Sequence, residues 1–356
     1  MKINLLKKLK IKPTMGLEGY ATYHTRMLGA PVKAYLEITA RCNFRCVHCY
    51  LHPLLSKGKK EMTTHEFFSI LDQLAEMGTL FLIITGGEPF VRPDFWQIME
   101  HARERGFIIE LVTNGSLVTK VAAQRLAALF VNKVSVSIYG MDEGVYKTVT
   151  GSSGVFKKVM RGVKLLVEEG VKVEARLILL RENFFQLEAF RRFVKKTGVE
   201  NSIEWLLSPR HDTSLVPLRH GLIKTQIEKF LHCYPKQYKP DLDFAPFTST
   251  PLCPSRFRGI AINSYGEVRN CILLENSTNI REKSIADIFQ KDSFFRRIRR
   301  LQWGDVPQCL KCKAKAYCAP CPADYFLHTG NLTPNPPKAM CRRAWMLKDI
   351  YERLQK

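Results

Sequence analysis

Three cysteines near the start of the chain, Cys42, Cys46 and Cys49, are spaced C-x3-C-x2-C in the run Arg41-Cys42-Asn43-Phe44-Arg45-Cys46-Val47-His48-Cys49-Tyr50. A structural zinc site takes four protein donors. Three close thiolates suit instead a [4Fe–4S] cluster with one iron left open, where another molecule can bind and receive an electron. Zinc is the alternative if His48 or His52 supplies a fourth donor. The chain has 11 cysteines, and they are not scattered: seven more lie between Cys253 and Cys341, and Cys233 stands alone. An isolated cysteine reads as a small buried apolar residue.

Composition narrows the class. With 356 residues, 46% hydrophobic and 25% charged, this is ordinary globular protein, long enough for one large domain and a smaller one. No apolar run reaches the length of a membrane span. The segment Met1 to Lys12 is basic and amphipathic but lacks the apolar core and cleavage site of a secretory signal. A cytoplasmic location is therefore expected, where clustered cysteines serve metal or redox chemistry rather than disulfides. The net charge of +22 invites a nucleic-acid or anionic-membrane surface. Basic runs occur at Lys7 to Lys12, Lys57-Gly58-Lys59-Lys60 and Arg296-Arg297-Ile298-Arg299-Arg300. No helix-turn-helix, RNA-recognition or zinc-finger pattern accompanies them, which argues against nucleic acid and leaves a solvated basic surface or an acidic peptide partner.

The elements that must position the cysteines alternate. Tyr35 to Thr39 reads as a strand ending just before Cys42. Thr63-Thr64-His65-Glu66 is a capping box, and the helix it opens puts Phe67, Ile70, Leu71, Leu74 and Met77 on one face until Gly78 stops it. Leu80 to Ile84 is a strand running into Gly86-Gly87-Glu88-Pro89. Pro93 suits the first turn of a helix reaching Arg105. Phe107 to Val112 is a strand ending in Thr113-Asn114-Gly115, Leu117 to Phe130 a helix, and Val134 to Tyr139 a fourth strand. Val155, Val159, Val163 and Leu166 mark a further helix. Val171 to Leu180 and Ser202 to Leu207 are strands five and six, with a helix over 185–196 between them. Repeated βα units with apolar strands predict a parallel sheet with helices outside, and six units suit a partial (β/α)6 barrel of TIM type. Ligands bind at the C-terminal ends of such strands. The cysteine run, the Gly-Gly-Glu-Pro, the Thr-Asn-Gly and Ser137 all lie at strand ends, so they converge on one rim. The expected division is a basic segment 1–33, the barrel 34–225, a bridge 226–252 rich in Pro, Lys and aromatics, a cysteine-rich domain 253–341, and a C-terminal helix over 342–356. That helix would have Trp345, Leu347, Ile350, Tyr351 and Leu354 as apolar positions.

These motifs together resemble the radical S-adenosylmethionine (radical SAM) enzymes. The resemblance implies that Cys42, Cys46 and Cys49 hold a [4Fe–4S] cluster, that SAM chelates its open iron, and that reduction cleaves SAM to a 5′-deoxyadenosyl radical. It implies that Gly86-Gly87-Glu88-Pro89 lines the SAM site, with glycines for close backbone approach and Glu88 accepting from the SAM ammonium. By the same resemblance Ser137 and Asn114 face the ribose and methionyl ends, Arg176 meets the SAM carboxylate, and His48 packs on the adenine. One departure is plain. Many relatives read Ser-x-Asp-Gly on strand four, whereas this chain has Ser137-Ile138-Tyr139-Gly140.

The second cysteine set resembles the SPASM auxiliary-cluster domain. Cys253 is followed by twelve residues, then Gly266-x4-Cys271, Cys309-x2-Cys312-x5-Cys318-x2-Cys321 and Cys341; the family pattern has x3 before Cys321. The resemblance implies two auxiliary [4Fe–4S] clusters, one on Cys309, Cys312, Cys318 and Cys341, the other on Cys253, Cys271 and Cys321. Where some relatives carry a further cysteine this chain has Gly259, so the second of these clusters has three identified ligands. SPASM relatives mostly act on peptides or proteins. The implied function is oxidative modification of a ribosomally made peptide carrying a leader, such as a thioether or carbon–carbon crosslink. A separate leader-recognition protein and an electron donor of flavodoxin or ferredoxin type would assist. The rivals are a haem-pathway tetrapyrrole decarboxylase, a formylglycine-forming sulfatase maturase and a non-enzymatic zinc protein.

Overall fold

The computed structural model describes residues 29–51, 59–234, 240, 242–243, 245–253, 259–274, 278–318, 320–332 and 335–355. Met1 to Lys12, His52 and Lys57-Gly58 lie outside them. The strands are β1 (Lys33–Glu37), β2 (Phe81–Thr85), β3 (Ile108–Thr113), β4 (Lys133–Ile138), β5 (Val173–Ile178), β6 (Glu200–Glu204), β7 (Gly259–Ile262) and β8 (Val268–Arg269). They form one open sheet in the order β6-β5-β4-β3-β2-β1-β7-β8. Strands β1 to β6 pair parallel throughout, for example Leu36 with Ile84 and Ser137 with Arg176. Burial on both faces favours this arrangement for such apolar strands.

The connecting helices are α1 (Thr64–Glu76), α2 (Phe95–Glu104), α3 (Lys120–Ala128), α4 (Glu143–Thr150), α5 (Phe156–Glu168) and α6 (Leu187–Thr197). α1 starts where its sequence demands. Thr63 and Glu66 make the reciprocal capping box, and Phe67, Ile70, Leu71 and Leu74 are buried. Val159, Val163 and Leu166 bury α5 in the same core. Each fully buried side chain of this size contributes about 1.5–3 kcal/mol. After β6 come α7 (Lys224–Cys233), α8 (Ile285–Lys291), α9 (Ser293–Arg300), α10 (Pro307–Leu310), α11 (Pro322–Thr329) and α12 (Lys338–Leu354). No helix among the described residues is long and apolar enough to cross a membrane.

Several expectations change. Pro93 precedes the N-cap Asp94 of α2 rather than entering its first turn. α4 was not foreseen; Asp142 caps it and Gly151 ends it in the left-handed region at φ 64°. The cysteine-rich segment does not stand apart, because β7 pairs parallel with β1 and extends the barrel sheet. α12 begins before Cys341, and on it Leu347 and Ile350 are buried while Trp345 and Leu354 are exposed. Cys233 is exposed, not buried, because the inward face of α7 is Ile227, Phe230 and Leu231.

Candidate active site at the strand ends

The loop after β1 carries the first three cysteines, and neighbouring elements pin it. Gly87 N–H donates to Thr39 O (2.7 Å) and Glu88 N–H to Arg41 O (2.9 Å). Arg45 N–H and Val47 N–H donate to Thr150 O and Val149 O at the end of α4. Asn114 Nδ2 donates to Asn43 Oδ1 (2.8 Å), tying the loop to the end of β3. The glycines answer to this packing. A Cβ on Gly86 would lie 2.4 Å from Thr39 O, and one on Gly87 2.2 Å from Arg41 O; Gly86 also has φ +147°. Their close approach is therefore to the cysteine loop itself.

A cavity of about 840 Å³ opens at this rim. It is lined by Cys42, Cys46, Cys49, His48, Gly86, Gly87, Asn114, Ser137 and Arg176, so the motifs that lie far apart in sequence meet there. Glu88 and Pro89 do not line it. Glu88 has no exposed surface. It accepts from Thr113 Oγ1 (2.7 Å), Asn114 N–H (2.7 Å) and Phe90 N–H (3.2 Å). Burial pushes its carboxyl up to about 7 against those hydrogen bonds. These bonds make Glu88 a brace between β2 and the end of β3. Arg176 Nη2 donates to Glu174 Oε2 (3.0 Å), while its Nε is buried without a partner. His48 packs on Tyr139 with ring centroids 5.3 Å apart, and its Nδ1 is buried without a partner. Burial lowers the His48 pKa to about 4, so the ring is neutral at pH 7.

Tyr139, the departure on strand four, lines the cavity with Cys46 and Ser137. Burial raises the thiols of Cys46 and Cys49, the latter to about 11, and each feels the charge of neighbouring cysteines. Among the described residues no three His, Cys, Asp or Glu groups have the geometry of a single bound metal ion. What fits a cluster with SAM is the donor set: three mutually close thiols on one wall and unpartnered polar atoms of His48 and Arg176 facing the same cavity.

The other seven cysteines fall into two sets by the charges they feel. Cys271 feels Cys253, and Cys321 feels Cys271. Cys318 feels Cys309, Cys341 and Cys312. These neighbours fall within the two sets that the resemblance proposes as cluster ligands. Gly259, at the start of β7, has Lys33 O 3.6 Å from where a Cβ would stand, an ordinary contact.

Sequence reasoning missed a buried ion pair beside the cavity. Arg269, on β8 and two residues before Cys271, donates to Glu37 Oε2 (3.0 Å) at the end of β1; the side chains are 1% and 3% exposed. Tyr50, next to Cys49, donates to Glu37 Oε1 (3.0 Å). The signal was present as a Glu in an apolar strand before the cysteine run, but its partner lies 232 residues away.

Comparison with known proteins agrees. The radical SAM superfamily profile matches residues 36–194, and that of an iron–sulfur cluster-binding domain, SPASM, matches residues 253–313. An AdoMet-dependent heme synthase of Methanosarcina barkeri is 27% identical over 89% of this chain and 98% of its own. A PqqA peptide cyclase of Bradyrhizobium diazoefficiens is 32% identical over 92% of this chain and 90% of its own. Streptococcus suis SuiB bound to precursor peptide SuiA shares the fold at TM-score 0.69 and 16% identity, covering 95% of this chain and 87% of that one. The chain belongs to the radical SAM superfamily and is an enzyme of that superfamily with a C-terminal SPASM domain. Its cofactors are SAM and [4Fe–4S] iron–sulfur clusters.

Proposed function

We propose that this enzyme oxidatively modifies a ribosomally made peptide, forming a thioether or carbon–carbon crosslink. The observation that carries this reading is the cavity itself, which runs from Cys42, Cys46 and Cys49 to Ile272, the neighbour of Cys271. A substrate lying there lies between the two iron-binding regions. The peptide cyclase relative, alike over nearly the whole of both chains, supports a peptide. Cys42, Cys46 and Cys49 would hold the first cluster, and SAM bound there would supply, on one-electron reduction by the electron donor, a 5′-deoxyadenosyl radical able to take a hydrogen atom from a substrate carbon. The protein's own part is to hold the reactants and keep water out. His48 and Tyr139 form an aromatic wall, Ser137 and Asn114 offer polar groups, and Arg176 offers a cation to the methionyl carboxylate. Forming the crosslink would release one further electron and one proton, and a cluster held by the SPASM cysteines would accept the electron. A leader-recognition protein and a flavodoxin- or ferredoxin-type donor complete the proposed system.

A second reading is favoured by the heme synthase relative and by the cationic lining of the cavity, which holds Lys33, Arg41, Arg45, Arg176 and Arg210 against Glu110. It takes a tetrapyrrole carboxylate as substrate. The test is anaerobic turnover of the iron-loaded enzyme with SAM and reductant, offered candidate precursor peptides or coproporphyrin. Loss of two hydrogens from a peptide, in step with 5′-deoxyadenosine, supports the first reading. Loss of carbon dioxide from the porphyrin alone replaces it with the second.

A further inference from the structure

We infer that Arg210 is a receptor for a substrate carboxylate, at the seam between the first cysteine loop and the SPASM region. The inference rests on reading this cavity as the place where substrate meets the radical, and it specifies what the substrate must carry there.

Arg210 lies on the loop after β6 and lines the cavity. Two other cavity cations have anions at hand: Arg176 pairs with Glu174, and Arg41 with Glu61. No carboxylate among the described residues pairs with Arg210, and its Nε is buried without a hydrogen-bond partner. A half-buried guanidinium with an orphaned donor is costly unless an anion completes it. Its planar fork suits a carboxylate bidentately.

The loop holds Arg210 in place. Arg210 N–H donates to Ser214 O (3.0 Å), and its carbonyl accepts from Thr213 N–H (2.9 Å). Thr213 itself sits at φ 65°, the left-handed region that a threonine occupies only when its surroundings impose it. The next residue, His211, donates its N–H to Tyr50 O (3.1 Å), adjoining Cys49. Its ring meets Arg269 Nη1 at 3.5 Å, and that same nitrogen donates to Ile272 O (3.1 Å), adjoining Cys271. Arg210 is thereby fixed to both cysteine loops at once. This is where a substrate shared by the two regions must pass, so the carboxylate is assigned to the substrate. SAM's own carboxylate is the competing source.

The test uses iron-loaded wild type, Arg210→Lys and Arg210→Gln. Three quantities are read: the Kd for SAM, 5′-deoxyadenosine formed without substrate, and the Kd of two acid probes with their neutral counterparts. The probes are coproporphyrin III against its tetramethyl ester, and a fluorescein-labelled Glu-rich peptide against its Gln version. The inference expects wild type to prefer at least one acid over its neutral form. Arg210→Gln should weaken that acid about ten- to a hundredfold, Arg210→Lys should restore part of it, and SAM affinity and uncoupled turnover should stay within about twofold, since no SAM contact is removed. A fall in SAM affinity with unchanged probe binding assigns Arg210 to SAM and overturns the inference. So does a wild type that binds neither acid better than its neutral form. If only the porphyrin responds to Arg210, the carboxylate receptor stands and the peptide reading fails. If only the peptide responds, both stand. Arg210→Lys, which keeps the charge and most of the volume, guards against misfolding of Arg210→Gln.

Discussion

Cys42, Cys46 and Cys49 sit on a loop tied by backbone hydrogen bonds to the end of β2 and to α4, above the parallel strands β1 to β6 of the eight-stranded sheet and a large common core. The region of the seven later cysteines joins this core through Ile260, Val268, Ile285, Phe295 and Leu347 on β7, β8, α8, α9 and α12. The surroundings of those cysteines are short helices, the two strands β7 and β8, and a separate small core that includes Leu252, Leu274, Ile298, Trp303, Tyr325 and Met340. Cys271, Cys309 and Cys321 are themselves among the side chains packed against that core. The barrel loop is therefore expected to keep its shape without metal, and the SPASM region to draw more of its order from metal. Small cores of this kind rely on metal ligation for folding energy.

The largest effect that can break this comparison comes from removing iron. Chelation should abolish hydrogen-exchange protection across α10 and α11 and leave β1 to β5 protected; equal loss in both regions would erase the difference between them. The next concerns the join. Arg269→Met leaves Glu37 buried and unpaired, which should cost about 3–5 kcal/mol in chemical denaturation and loosen both cysteine loops together. Third, Gly87→Ala puts a methyl group against Arg41 O. It should cost about 1–3 kcal/mol and lower iron retention at the first cluster while the SPASM iron stays. The smallest effect is at the surface, where Arg281 pairs with Glu66 across the two regions. The pairing holds the Glu66 carboxyl down to about 2. A depressed carboxylate contributes stability above the unfolded value near 4.5 and loses it as pH falls toward 2, so Arg281→Ala should flatten that acid limb. At pH 7 the exposed pair should be worth under about 1 kcal/mol.

Much of this was legible before any coordinates, and the reasons are local. The βα repeat shows in apolar blocks such as Leu82-Ile83-Ile84 and Val134 to Ile138, and strand ends carry the motifs by rule. The cysteine spacings carried the family resemblance, and that resemblance implied the ligand sets. What was hidden is long-range. β7 is four residues long, too short for an alternation signal, and only its pairing with β1 reveals it. The Glu37–Arg269 pair joins residues at opposite ends of the chain. The hydrogen bonds that Glu88 accepts from Thr113 and Asn114 are also long-range, because they join the ends of two different strands. The Arg210 seam depends on three loops meeting.

The central claim is that the rim of the barrel cleaves SAM. The direct measurement is 5′-deoxyadenosine formed by anaerobic, iron-loaded protein with SAM and reductant, compared with a Cys42→Ala, Cys46→Ala, Cys49→Ala variant. The account predicts 5′-deoxyadenosine from the wild type and none from the variant, with the variant keeping the iron bound by the SPASM cysteines. No 5′-deoxyadenosine from wild type carrying its full iron, or equal amounts from both proteins, would contradict it.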